Sequence, residues 1–419
     1  MQSNRIAQKL RAQIQQFSGI ISPRFSKPKA RFLEQMLLGI TASQDCKLSR
    51  IARALGESIT LKKTEDRLSH HLAQPQLGQA VAAQIVAHAA RRIGDETLIV
   101  IDPTDIRKTY AQAMPYLATV RDGSTGELVP GYWSGVALAC EPASRRVLPL
   151  LQQLWSADAP DFVSENAQLL AMIDTVAAAT DKRGIYVLDR GGDRSKLYIP
   201  LLARGLRFIV RLVGERHLVV RGQLRRARDL ARGVRMRWAE TVVREAAGGE
   251  KKCHLEYGFR AVKLPGRRDL NLTLVVVQGL GQEPLLLLTD VEVKATRRSV
   301  WRIVRGYLTR WLVEETIRFL KQSYQLEDLR VLSYERLRNL AALVMAAAYF
   351  AAGWLGASLK LAVLASRVLK VAKRFFGVPA FHYYALADGL RVLLSRWPQS
   401  RPPRAAPSAQ SQLWLFRFT

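Results

Sequence analysis

Three acidic residues, far apart in the chain, could together do chemistry. Asp102 closes the apolar run Leu98-Ile99-Val100-Ile101 and is followed by Pro103; Asp189 closes Ile185-Tyr186-Val187-Leu188 and is followed by Arg190-Gly191-Gly192. Each run is short, apolar and β-branched, the pattern of a buried strand, and the Asp-Pro step predicts that the first strand ends at Asp102. Loops at strand ends are where α/β sheets place catalytic groups. A third carboxylate, Glu314, lies in a helical stretch. Three carboxylates are hard oxygen donors suited to Mg2+, with Mn2+ as substitute. A pair of such ions can clamp the attacking and leaving oxygens of a phosphodiester. Either aspartate alone says little, because strand-end Asp is common as a turn residue.

The helix adds specificity. Tyr307, Arg310, Glu314 and Lys321 are spaced 3, 4 and 7 apart. On a continuous helix, at about 100° per residue, they fall in a stripe roughly 60° wide. Glu315 points about 100° away from Glu314. One face therefore offers a carboxylate flanked by two cations and a phenol, and the cations suit phosphates on either side of a cut. Trp311 borders the stripe, where it can stack on an unpaired base. An exposed helix with an Arg310–Glu314 ion pair would show the same spacing. The two aspartates decide against that reading.

These residues need a sheet and helices to position them. Residues 1–90 read as helical. Phe32, Met36, Leu37 and Ile40 keep helical spacing; a helix over Leu48–Leu55 should stop at Gly56, and another should begin near Thr60, carrying Lys62, Lys63 and Arg67. This pair is helix-turn-helix-like, with those three cations as candidate DNA contacts; an ordinary helical hairpin with a basic face fits too. Residues 91–210 hold the first aspartate strand, then GYWSGVALACEP and RRVLPLLQQLWS as strands. A helix over 164–179 capped by Ser164, the second aspartate strand, and GLRFIVRLVGERHLVV as a further strand follow. Strands followed by strand–helix–strand alternation predict an α/β sheet with mixed pairing. Residues 211–290 are β-rich and irregular, Arg298–Gln325 reads as one long helix, and two more helices are expected over about 334–356 and 358–374. The segment from 398 to 419 begins with a Pro/Ser/Ala-rich stretch that should be flexible.

Composition narrows the partners. The 419 residues carry 64 Lys+Arg against 35 Asp+Glu, a formal net charge of +29. Such an excess calls for a polyanion, and nucleic acid is favoured over an anionic membrane surface. The segment 201–240 holds eleven arginines against Glu215, Asp229 and Glu240, a phosphate-tracking surface or a solubilising face. Three dispersed cysteines argue for a reducing compartment and against a disulfide framework. Cys253-His254 reads as two faces of a strand rather than a zinc site. The uncharged run 340–359 is long enough to span a bilayer, but its Ala-rich composition favours a buried helix; no membrane partner and no apolar signal core are expected.

The motifs resemble a known family. Tyr307-x2-Arg310-x3-Glu314-x6-Lys321 matches the Y-x2-R-x3-E-x6-K signature of DDE transposases of the insertion-sequence-4 type. Ile101-Asp102-Pro103-Thr104-Asp105 and Val187-Leu188-Asp189-Arg190-Gly191-Gly192 are similar to the family's two aspartate segments, and the resemblance covers roughly residues 30–360.

That resemblance implies an RNase H-like catalytic core, split by a β-rich insertion domain at 211–290 that accounts for the 124 residues between Asp189 and Glu314. The core would span 91–210 and 291–330, flanked by helical regions at 1–90 and 331–397. It also implies that Asp102, Asp189 and Glu314 hold two Mg2+ ions. Tyr307, Arg310 and Lys321 would contact element-end phosphates, and Trp311 would stand beside a flipped base, with cleavage through a DNA hairpin. The expected partners are element terminal inverted repeats, target DNA and a second copy of the chain in a synaptic complex. A cytoplasmic, nucleoid-associated prokaryotic setting follows. Two other readings remain open at this point: an RNase H-like nuclease without strand transfer, and an inactive transposase-derived DNA-binding protein. Asp105 and Asp193, near the carboxylates, are candidate supporting groups, though turn or cap roles are commoner.

Overall fold

The computed structural model describes residues 2–355 (except 109–110, 112, 124, 143–145, 247–248, 329–330 and 332), 366–368 and 382–395. Most of the expected helix 358–374 and all of 398–419 lie outside the described residues.

Five helices come first: α1 (Gln2–Ile21), α2 (Lys27–Ser43), α3 (Leu48–Leu55), α4 (Leu61–Leu72) and α5 (Leu77–Ala90). Their ends follow local chemistry. Gly56 stops α3 in the left-handed conformation, at φ 57°, that glycine adopts without a Cβ penalty. The Thr60 hydroxyl accepts the Lys63 amide and starts α4.

The apolar runs then form the sheet. β1 (Leu98–Arg107), β2 (Ala118–Arg121), β3 (Leu128–Glu141) and β4 (Arg146–Trp155) are followed by α6 (Glu165–Thr180), β5 (Ile185–Leu188), α7 (Ser195–Ala203) and β6 (Arg207–Arg211). Ser164 caps α6, its hydroxyl accepting the Ala167 amide. β4, β3 and β1 pair antiparallel, whereas β1, β5 and β6 run parallel, with α6 and α7 as crossovers. Their spatial order is β4-β3-β1-β5-β6. Parallel strands flanked by neighbours are buried on both faces, which is why all four residues of β5 are buried.

Two expectations need correction. β1 does not end at Asp102: it pairs with β3 residue by residue as far as Arg107 opposite Gly131. Only its parallel partner stops, since β5 pairs with Leu98–Val100 and no further. Pro103 lacks a ladder donor, and it sits where β1 has a strand on one side only, so the loss costs least. The stretch GLRFIVRLVGERHLVV is two strands, β6 and β7 (His217–Val220), and β7 pairs with β10 rather than continuing beside β5.

After β7 come β8 (Gln223–Arg226), α8 (Ala227–Arg232), β9 (Trp238–Ala246), β10 (Gly249–Leu264), β11 (Arg267–Gln278) and β12 (Leu285–Thr289). β12 pairs antiparallel with β6, and β11 and β10 follow beyond it, so the strands of 211–290 extend the same sheet. Cys253 is buried and His254 exposed on β10, the alternation of a strand.

The stretch expected as one long helix is two, α9 (Arg297–Leu308) and α10 (Trp311–Ser323). The Thr309 hydroxyl bonds back to the Arg305 carbonyl at 2.8 Å, and the Arg310 amide reaches only to Tyr307. Such back-bonding competes with the main-chain ladder and bends helices. Thr309 and Arg310 keep right-handed helical angles, so the Arg310-to-Glu314 spacing survives the break. α9 packs on β6, β10 and β11, and α10 on β1. α11 (Tyr334–Tyr349) continues as a π-helical turn, Phe350–Trp354, and α12 (His382–Ser395) follows. Tyr334–Trp354 is long and apolar enough to cross a membrane, and 89% of its apolar window is buried within the protein.

Candidate active site

The strand register sets the two aspartates level. Val100 of β1 pairs with Val187 of β5, and two residues further along each parallel strand stand Asp102 and Asp189. Asp189 then turns the chain. Its Oδ1 accepts the Gly192 amide at 3.0 Å, closing a 3-10 turn over Arg190–Gly192. The glycines are needed for this fold-back. A Cβ at Gly192 would meet the Leu188 side chain at 2.6 Å, and one at Gly191 would meet Asp189 Oδ1 at 3.0 Å.

Arg310 joins the strand acid to the helix acid. Its guanidinium donates to Asp102 Oδ2 at 3.2 Å and to Glu314 Oε1 at 2.8 Å. The side chains of Arg310 and Asp102 are 11% and 15% exposed, while that of Glu314 is 52% exposed. Burial pushes the Asp102 carboxyl up to about 7; Arg310 pulls it down, and the negative charges of Asp189 and Glu314 push it up again. For Arg310 burial disfavours the charge, but Asp102, Tyr307, Glu314 and Asp189 outweigh it and the guanidinium is held above its ordinary value. Its buried Nε has no hydrogen-bond partner. Tyr307 is buried, at 3% exposure; burial raises its hydroxyl, and the nearby guanidinium groups of Arg310 and Arg211 lower it in part.

A second set of contacts fixes the far end of α10. Lys321 donates to Asp105 of β1 at 3.2 Å and lies 3.3 Å from Glu327. Arg107, the last residue of β1, pairs with the same Glu327 at 3.3 Å. Lys108 is buried at 2% exposure and donates to the carbonyls of Leu326 and Glu327 at 2.6 and 3.0 Å. β1 therefore grips α10 at both ends, through Asp102–Arg310 and Asp105–Lys321. The sequence offers Asp105 as a supporting group or a turn residue, and the structure makes it the partner of Lys321; Glu327, Arg107 and Lys108 carry no signal in the sequence. Asp102, Asp105 and Lys108 are spaced by three, which matches no strand period, so local patterning gives no signal for them. Asp193 accepts Arg216 at 2.7 Å and the Val213 amide at 2.8 Å, tying the turn after Asp189 to the end of β6.

Asp102, Glu314, Arg310 and Tyr307 thus form one connected group, with Asp189 close enough to act on Asp102 electrostatically. Lys321 joins the neighbouring ion-pair network. Trp311 opens α10, and its side chain lies outside the described residues. Lys62, Lys63 and Arg67 are on α4 in the N-terminal helices. Lys62 pairs with Asp66 at 2.8 Å at the surface, and Lys63 is exposed. Arg67 turns inward, to Glu57 at 2.5 Å and Gln35 at 2.6 Å, and braces α2 against α4.

The donor set suits a hard divalent cation by its chemistry: three carboxylates, one of them buried and in need of positive charge to stay ionised. Among the described residues no three such side chains lie together at metal-ligating spacing. Arg310 supplies the positive charge between two of them.

No curated protein matches the chain by sequence. A cryo-EM structure of a piggyBac transposase synaptic complex with hairpin DNA is similar at a TM-score of 0.43 and 9% identity, over 94% of this chain and 80% of that one. A family model described as the transposase DDE domain matches residues 93–350. With well over half its length matched, and the three acids inside the matched region, the chain belongs to the DDE transposase family.

Proposed function

We propose that this transposase, of the insertion-sequence-4 type, binds element ends, cuts them hydrolytically and joins them to target DNA, with Asp102, Asp189 and Glu314 as its metal ligands. The observation that carries the reading is the bridge through Arg310, which brings Glu314 of α10 to Asp102, level with Asp189. An RNase H-like core is supported by the order β4-β3-β1-β5-β6, three antiparallel strands followed by two parallel ones. The segment 211–290 is then the insertion, its strands added to the core sheet through β12.

A pair of Mg2+ ions, or Mn2+, held by these carboxylates would lower the pKa of an attacking water and neutralise phosphate charge. The chain's own residues do the positioning. β1 and β5 present their aspartates side by side on rigid strands, and Arg310 and Lys321 anchor α10 so that Glu314 faces them. Arg310 and Tyr307 stand beside the carboxylates, where a scissile phosphate would approach, and Lys62 and Lys63 reach duplex phosphates from α4. In cleavage a water oxygen bonds to phosphorus and the P–O3′ bond breaks. The freed 3′-hydroxyl then attacks a target phosphodiester, one P–O bond forming as another breaks. Concerted cutting of two ends calls for a homodimer acting on chromosomal DNA in a prokaryotic cytoplasm.

The test uses the inverted repeats flanking the reading frame as substrate, with Mn2+. Wild-type protein should nick the ends and yield strand-transfer products, while Asp102→Asn and Glu314→Gln should each lower nicking at least a thousandfold, the scale of removing a catalytic group. Nicking at the wild-type rate by either variant rejects the assignment. Denaturing gels of the same reactions show whether a hairpin is formed. Nicking without joined products would favour a nuclease.

A further inference from the structure

Beside the carboxylates lies a cleft of about 470 Å³ between the turn after Asp189, the end of β6, α8 and the β11–β12 connection. Four arginines line it, Arg190, Arg211, Arg228 and Arg232, against two glutamates, Glu215 and Glu283. They are not equally engaged. Arg228 and Arg226 both hold Glu215, so that acid is already neutralised. Arg232 is 81% exposed and only 3.6 Å from Asp229, a loose surface pair worth little. Arg190 is exposed and makes no ion pair among the described residues. The cleft therefore keeps uncompensated positive charge over an apolar floor that includes Leu212 and Leu286.

Its position gives this charge a meaning. Arg190 directly follows Asp189 in the 3-10 turn, and Arg211, at the end of β6, acts electrostatically on the Tyr307 hydroxyl as Arg310 does. The cleft thus adjoins the acid cluster through Arg190, next to Asp189 in the chain. A space of this size suits a small ligand or a single strand and is too narrow for a duplex. Cations that track a backbone above an apolar surface are the features that hold single-stranded nucleic acid.

We infer that this cleft binds the phosphodiester backbone of a single DNA strand leaving the carboxylate site, with the exposed Arg190 and Arg232 as its phosphate contacts. The inference rests on the proposed DNA-cutting function and adds to it where an unpaired strand lies. Arg228 keeps Glu215 from repelling that strand, and Arg211 links the cleft to Tyr307.

The test measures fluorescence anisotropy with the full chain across a sodium chloride series, using two labelled duplexes of the same sequence. One is blunt, and the other carries a short single-stranded extension on each strand. The wild-type chain should bind the extended DNA more tightly. The double variant Arg190→Gln/Arg232→Gln should lose that gain and bind the blunt duplex unchanged. Its log–log salt slope on the extended DNA should fall by about 1.4, the equivalent of two single-strand phosphate contacts. Lysine at both positions should keep the slope. Circular dichroism melting should show the wild-type transition, since both side chains are at the surface.

A double variant that keeps the wild-type gain and slope overturns the inference and leaves the transposase reading standing. So does a mononucleotide that displaces the extension as well as a single strand does, because the cleft would then be a nucleotide pocket. A wild-type chain that binds neither DNA overturns the transposase reading, and the cleft's role with it.

Discussion

The cations at the α9–α10 junction and those of α4 differ in what already holds them. Arg310 and Lys321 are largely buried, and each is shared between two acids: Asp102 and Glu314 for the first, Asp105 and Glu327 for the second. On α4, Lys62 meets only Asp66 at the surface, and Lys63 is exposed. A phosphate approaching α4 displaces water. A phosphate approaching Arg310 competes with two carboxylates of the chain itself. The first kind of cation supplies long-range attraction and a salt dependence. The second builds the site, and its removal is felt in folding as well as in function. Arg67 lies on the same helix as the lysines and belongs with Arg310, because Glu57 and Gln35 hold its head inside the helical region.

The largest effect should come from Arg310→Ala, which leaves Asp102 buried beside two other acids. Urea denaturation should show a loss of about 3 kcal/mol, the scale of breaking a buried pair from one side, and nicking should vanish. Adding Asp102→Asn should recover most of that stability and none of the activity. A double-mutant cycle without coupling between the two sites would break the comparison.

Next comes Lys108. Burial pulls its ammonium down to about 8, from an ordinary value near 10.5, while Cys46, Glu327 and Asp328 act in the opposite sense. The unfolded chain therefore binds more protons than the folded chain between those values, and this group's contribution to stability rises with pH from about 8 to about 10. Melting temperatures across that window should show the rise in the wild-type chain and its loss in Lys108→Met. An identical profile in both proteins would mean that Lys108 is not the group responsible.

Arg67→Ala should cost roughly 2 kcal/mol, because Glu57 loses a charged partner in a half-buried place. Lys62→Gln with Lys63→Gln should leave stability within about 0.5 kcal/mol. Its effect should be on duplex binding, where the salt slope falls by about 1.8 for two lost phosphate contacts. If Arg67→Ala weakened DNA binding without lowering the melting temperature, Arg67 would belong with the exposed lysines after all.

Much of this site was legible from local rules. Ser164, Thr60 and Gly56 act as helix signals because a hydroxyl can bond the first free amides and glycine can enter the left-handed region. The two aspartates were found because an apolar β-branched run ending in Asp is a short-range pattern. The break at Thr309 was missed, since a helical stripe does not register one side-chain hydroxyl turning back to Arg305. The continuation of β1 past Pro103 was missed because the pairing that sustains it comes from β3, about thirty residues away.

What the sequence determined alone was the identity and spacing of the groups: acids at Asp102, Asp189 and Glu314, and the Tyr307–Arg310–Glu314–Lys321 series. Spacing along a helix or strand is set by backbone geometry, which any stretch of chain carries with it. Which cations point inward, and which acid each one meets, was decided only by the tertiary structure. Arg310 and Lys63 have the same charge on paper. One is folded against a largely buried aspartate 208 positions away and the other against water. Coulomb energy depends on the distance and dielectric between the partners, and folding alone sets both.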